Sequence, residues 1–208
     1  MMATQAFLYN AIYFTVNLVL VRIYHIADQN TSYYFFPFLA GNLIGPLLLA
    51  RLFDTIGRRK MIAFTYCTSG ILLAINALLF YTNLLTATTQ TVIWCATFFF
   101  ASAGASSAYL TISEIFPLEL RAQAISFFFA ISMLLGGVAT PAIFGYLIGD
   151  GTNHGALAIG YQTAALTMFA GGVIAWFFGV DAERKSLEDI ANPLSATPRP
   201  IEPALGYF

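Results

Sequence analysis

Six stretches of roughly 20 mainly apolar residues, at 5–24, 34–53, 61–81, 91–112, 124–148 and 156–180, are joined by short polar connectors. A helix rising about 1.5 Å per residue needs about 20 such residues to cross a hydrocarbon core of about 30 Å, so the pattern predicts six membrane-spanning helices. Runs such as Ile71-Leu-Leu-Ala and Phe98-Phe-Phe do not alternate apolar with polar positions, as the strands of a membrane barrel must. In lipid every backbone polar group needs an internal partner, and helices are the practical way for these segments to supply it. The reading is an all-α membrane protein, with a six-helix transmembrane domain over 1–180. A cytoplasmic polar tail over 181–208, holding Pro193, Pro198, Pro200 and Pro203, is expected to stay disordered.

Composition supports this and narrows the partners. Hydrophobic residues make up 59% of the chain and charged residues 9%, with a net charge of -1, a balance too apolar for a soluble domain. Nine Lys and Arg spread along the chain give no basic surface for phosphate, which excludes nucleic acid as a partner. Arg51, Arg58, Arg59, Lys60, Arg121, Arg184, Lys185 and Arg199 fall on one side of the six-span arrangement, and only Arg22 lies near the other. Positively charged loops stay inside, so both termini are expected in the cytoplasm of an integral, multi-pass cell or inner-membrane protein. The first residues carry neither a basic n-region nor a cleavage site and are read as the start of a helix. Cys67 and Cys95 sit within spans without metal-ligand spacing and are read as small apolar residues, with no metal or cofactor implied. His25 and His154 lie far apart in outer connectors. No nucleophile–base arrangement or glycine-rich phosphate loop is visible, so an enzyme is not expected.

Small residues mark where these helices should approach each other. Gly41 and Gly45 form a G-x-x-x-G pair in the second span, which is either a packing seam or simply permissive. The fourth span concentrates small residues over 101–108, and the fifth carries Gly136, Gly137, Pro141 and Gly145. Pro141 removes a backbone donor and should kink that span.

A polar side chain inside a span is costly unless it packs on protein or lines a wet cavity. Gln5, Asn10, Tyr13 and Asn17 stand out in the first span, where Asn10, Tyr13 and Asn17 share one helical face at offsets of three and seven. They either contact substrate or tie helices together at about 0.6–2 kcal/mol per hydrogen bond. Asn42 and Asn76 are further candidates of the same kind. No Asp, Glu or His lies near the middle of any span.

Two connectors carry the most specific patterns. Asp54-x-x-Gly57-Arg58-Arg59 follows the second span, where Gly57 permits a tight turn and the charges can pair with neighbouring helix ends. Glu114-x-Phe116-Pro117-x-x-x-Arg121 follows the fourth, with Pro117 ending the helix and Glu114 and Arg121 placed to reach separate partners. Taken alone, each is also compatible with a basic cluster that merely fixes topology. Together, at this separation, they resemble the D-x-x-G-R-R/K and E-x-F-P-x-x-x-R loops of major facilitator superfamily transporters, the second in the form used by its sugar-porter or metabolite:proton symporter branch. Ser186-Leu187-Glu188-Asp189-Ile190 is similar to the end of that branch's tail element.

The resemblance covers residues 4–190 and maps onto helices seven to twelve, the C-terminal half of a major facilitator fold. It implies two inverted three-helix repeats, a transport cycle of alternating access for a small polar solute (a sugar, organic acid or related metabolite), and proton coupling through a carboxylate in the other half. The expected partner is the missing N-terminal six-helix half. In such a cycle Asp54, Gly57, Arg58, Arg59, Glu114, Pro117 and Arg121 form the cytoplasmic gate, whose charge pairs break as the protein opens inward. Gln5 and Asn10 match the branch's Q-x-x-x-x-N spacing for substrate contact. The G-P-x-x-W element before the fourth-span Glu is replaced by 105–109, which leaves Tyr109 either in the aromatic role or as a packing residue and speaks against a sugar. A non-transporting relic or a partner subunit of another membrane protein is the alternative, and a homodimer replacing the two halves is a third.

Overall fold

The computed structural model describes residues 1–148 and 154–179. The first span is α1 (Met2–Leu18) continued by a π-helical stretch, Val19–Ile23. A single turn at Asp28–Asn30 leads into α2 (Thr31–Thr55), the second span, followed by α3 (Arg58–Tyr81) and α4 (Ala87–Ile115). The fifth span joins α5 (Arg121–Ser132), a π-helical stretch Met133–Val138 and α6 (Ala139–Ile148), and the sixth is α7 (His154–Phe178). All six are long and apolar enough to cross a membrane, and no strand occurs among the described residues. The tail at 181–208, with its Ser186–Ile190 element, lies outside the described residues.

Local chemistry sets the helix ends. α4 begins four residues before the apolar stretch at 91–112 because Thr86 and Thr89 form a reciprocal cap: the Thr86 amide donates to Thr89 Oγ1 at 2.8 Å and the Thr89 amide to Thr86 Oγ1 at 3.3 Å. It stops at Ile115, where Phe116 is extended (φ -106°, ψ 142°) ahead of Pro117, since proline disfavours the helical conformation in the residue before it. Gly57 has φ 110° and joins α2 to α3 in a turn that an L side chain would strain. The fifth span is distorted around Pro141, but the distortion takes the form of the π-helical widening at Met133–Val138, one turn earlier. Pro141 leaves the carbonyl of Gly137 without its usual amide, and the widening ends at that point. α2 also holds Pro37 and Pro46 within a continuous helix, so the carbonyls of Tyr33 and Asn42 lose their i+4 partners.

The packing has an internal symmetry that the sequence does not show. The first span packs on the fifth and the fourth on the second; the third packs on the fourth and the sixth on the first; the third and sixth pack on each other. Exchanging spans one with four, two with five and three with six maps this set onto itself, as two three-helix repeats require. Three crossings per repeat mean that the second repeat enters from the opposite face, which makes the pair inverted. The seams are built alike. A Cβ on Gly41 would lie 2.5 Å from the Cys95 carbonyl oxygen, and one on Gly45 would overlap the Phe99 carbonyl, so the G-x-x-x-G pair is where α2 meets α4. In the related seam a Cβ on Gly136 would meet Ala6 Cβ at 2.5 Å and the Phe7 amide nitrogen at 2.6 Å.

Candidate functional site

Between the middle of the bundle and its charged end lies a half-open cavity of about 510 Å³. α1 supplies Gln5, Tyr9, Asn10 and Tyr13; α2 supplies Asn42 and Pro46; α3 supplies Tyr66; α4 supplies Ser102, Ser106 and Tyr109; and Met133 closes one edge from the fifth span. Five of the residues singled out from the sequence thus converge: Gln5, Asn10, Tyr13, Asn42 and Tyr109. Asn17 does not line the cavity. It lies exposed on α1, one turn beyond Tyr13. Tyr9, Tyr66 and Ser102 were not foreseen, although Gln5, Tyr9 and Tyr13 repeat every four residues and therefore share a face. Tyr66 lies among Thr65, Thr68 and Ser69 in the third span, and the cost of polar groups in lipid would have marked that stretch.

The polar atoms of the cavity divide into committed and available groups. Tyr9 Oη donates to Asn42 Oδ1 at 2.8 Å, bridging α1 and α2. Gln5 Nε2 donates to the Ala101 carbonyl at 2.9 Å, anchoring α1 to α4, while its Oε1 is buried without a hydrogen bond. Asn10 Nδ2 is returned to its own helix at the Ala6 carbonyl, 2.8 Å away. The Tyr66 side chain is fully buried and its hydroxyl makes no hydrogen bond. A buried hydroxyl left without a partner is costly, and this one belongs to a residue of the cavity wall. Tyr109 lines the cavity and also packs on Phe129 across a ring distance of 6.4 Å.

Other buried polar residues hold helices together instead. Asn76 Oδ1 accepts from Gln90 Nε2 at 3.0 Å between α3 and α4, and Thr15 Oγ1 meets Tyr161 Oη at 2.6 Å between α1 and α7. Asn76 is therefore a tie between helices and does not line the cavity.

The charged connectors gather at one end. Asp54 and Arg58 approach to 3.7 Å, and both line a smaller pocket of about 160 Å³ with Ser106, Ser107 and Pro46. Pro46 and Ser106 also line the main cavity, so polar side chains run between α2 and α4 from the cavity to the charged end. Arg59 packs over Gly179 at the end of α7, beside Met1 and Ile115. The first residue, the α2–α3 turn and the ends of α4 and α7 therefore share one face of the bundle. Arg121 opens α5 just after the Pro117 turn. Glu114 occupies the last turn of α4, and its side chain lies outside the described residues. At the opposite end Tyr24 bonds Gln90 at 3.3 Å and the His154 ring lies 5.5 Å from Phe80. No cluster of metal-ligating side chains occurs among the described residues.

Six apolar helices in two exchange-related triplets, a half-open cavity lined in part by polar side chains and a charged turn beyond it define a polytopic membrane protein of the solute-transporter class. The chain belongs to the Major Facilitator Superfamily, whose family model matches it over residues 1–208. Its function is accordingly membrane transport of a small molecule, carried out within a lipid bilayer. Neither the curated proteins nor the solved structures compared with it gave a match.

Proposed function

We propose that this chain forms the C-terminal half of an alternating-access transporter for a small polar solute, and that the cavity between α1, α2 and α4 is its share of the substrate site. The observation that carries the reading is the convergence of Gln5, Asn10, Tyr13, Asn42 and Tyr109 on one cavity whose lining also includes Tyr66, a residue with a buried and unpartnered hydroxyl. The Tyr66 hydroxyl and Gln5 Oε1 lie buried just behind the wall, where a solute hydroxyl or amine would bond them once the wall relaxes, while Tyr9 and Asn42, already bonded to each other, shape the wall. The partner half completes the cavity from the side where Tyr13 and Ser106 are exposed, and it supplies the carboxylate for proton coupling. Asp54, Arg58, Arg59, Glu114 and Arg121 act at the cytoplasmic end, and the pocket shared by Pro46, Ser106 and Asp54 is the route by which solute leaves when that end opens.

The test is a melting screen of the purified protein in detergent against neutral polyols, amines, amino acids and organic acids. A ligand at 100 times its Kd stabilises by about 2.7 kcal/mol, well within detection. The expected result is one solute class that raises Tm in the wild type and raises it less, at the same concentration, in Tyr66→Phe. Equal shifts in both proteins, or none with any class, would refute the assignment of this cavity.

A further inference from the structure

On the opposite side of the bundle, α3 and α7 leave a groove of about 410 Å³ between them. Its floor is made of small residues, Ala63 and Cys67 of α3 and Gly172 of α7, and its walls of Phe64, Trp176 and Phe177. The walls are exposed, Trp176 by 51% and Phe177 by 70%. The groove carries no oxygen-bearing or charged side chain except at its mouth, where exposed Lys60 stands at the charged end of the bundle with no ion pair among the described residues. Lys60, Phe64 and Cys67 fall at i, i+4 and i+7 along one face of α3, a run of about 10 Å, or a third of a hydrocarbon core of about 30 Å. The shape is an apolar channel of acyl-chain depth, opening outward beneath a single ammonium group. An indole stands beside it, as expected for a residue at the level of the lipid headgroups.

We propose that this groove is a binding site for an anionic phospholipid, with the acyl chain lying against Cys67 and Gly172 and the phosphate paired with Lys60. Apolar walls alone accept any lipid tail and confer no preference. Lys60 confers it, because a basic residue near the headgroup plane attracts anionic over zwitterionic lipid by roughly five-fold. The site is separate from the solute cavity and shares no residue with it.

The chain has two tryptophans, and Trp94 is fully buried, so Trp176 reports on lipid at the groove. The protein is reconstituted in vesicles containing brominated phosphatidylglycerol or brominated phosphatidylcholine, and quenching is followed against mole fraction in the Trp94→Phe background and in the wild type. Half-quenching is expected at a roughly five-fold lower fraction of the anionic lipid, and Lys60→Gln should bring the two curves together while Lys60→Arg keeps them apart. Identical curves for the two lipids in the parent protein overturn the proposal, as does a preference that survives Lys60→Gln. If Trp94→Phe does not fold, the wild type gives the same comparison over the constant emission of buried Trp94.

Discussion

Replacing Gly41 with alanine tests whether the α2–α4 seam sets the shape of the cavity. The new methyl would stand 2.5 Å from the Cys95 carbonyl oxygen and 2.9 Å from its Sγ, where ordinary contact begins at 3.4 Å. The carbonyl cannot rotate away, so the helices must separate to make up the 0.9 Å between 2.5 and 3.4 Å. Overpacking of this kind costs about 1–3 kcal/mol, which in a chain of this size lowers Tm by roughly 2–12 °C. The effect should reach the cavity, because Asn42 follows Gly41 and its bond to Tyr9 is 2.8 Å long. Moving α2 off α4 changes the place of Asn42 relative to Tyr9, and a component of about 0.7 Å along their bond is enough to break it. Gly145 is the control: a Cβ there meets nothing within 4 Å, and alanine in an open helix position is neutral or stabilising by up to about 1 kcal/mol. The assay is a thermal melt of both variants in the same detergent, repeated with any solute that binds the wild type. If Gly41→Ala melts with the wild type, or if the two alanine variants are indistinguishable, close backbone approach is not what holds α2 on α4.

Tyr66→Phe removes a hydroxyl that has no partner in the protein, so the unliganded melting temperature should hold or rise while solute affinity falls roughly two- to twelve-fold; a drop in Tm with unchanged binding points to a structural role. Tyr161→Phe should cost about 0.6 kcal/mol and at most about 1.7, and a double-mutant cycle with Thr15→Val should recover that coupling. Additive effects would show that the 2.6 Å contact between Thr15 and Tyr161 contributes nothing. Asp54→Asn loses an exposed pair worth at most about 1 kcal/mol, yet together with Arg121→Ala it should slow transport by the complete transporter while leaving solute affinity intact; unchanged turnover counts against a gating role for this end.

The fold was legible in the sequence because bilayer thickness imposes a length that no side-chain detail overrides. The ends were less so: hydropathy at 91–112 does not register the cap at Thr86 and Thr89 that starts α4 early, whereas Gly57 and Pro117 punctuate the chain wherever they occur. The site was legible one helix at a time. On α1 the shared face of Asn10, Tyr13 and Asn17 follows from spacing alone, yet Asn17 falls outside the cavity, because nothing local says where along a helix a cavity stops; Gln5 stood out as a polar residue in a span. The place of Tyr66 in the cavity wall depends on α3 leaning against α4 at Gly104, where a Cβ would lie 2.8 Å from the tyrosine ring, and no local signal carries that. The repeat was invisible for the same reason: Gly41 and Gly136 occupy related seams, but which helix each meets, at Cys95 and at Ala6, is decided only by the packing.

If the chain is one half of a transporter, as proposed, the same exchange predicts which surface the other half would cover. The second and fifth spans are the least buried of the six and are each other's counterparts. Beside them α1 presents Tyr13, Phe14 and Asn17 exposed. An amide held against hydrocarbon without a partner costs several kcal/mol (about 2–7 by transfer), so this face belongs to water or protein. The outer faces of α3 and α7 instead expose Ile71, Ile75, Ile159 and Leu166 and suit lipid. In a background without Cys67 and Cys95, Asn17→Cys in vesicles should therefore react with a water-soluble maleimide, and Ile71→Cys should not. Labelling at Asn17→Cys should fall when a complementary half is co-reconstituted, since that half takes the place of water over α1. Equal labelling at the two positions would mean that the polar stripe on α1 does not mark an aqueous or protein-covered side, and the assignment of the transport pathway to that side would fall with it.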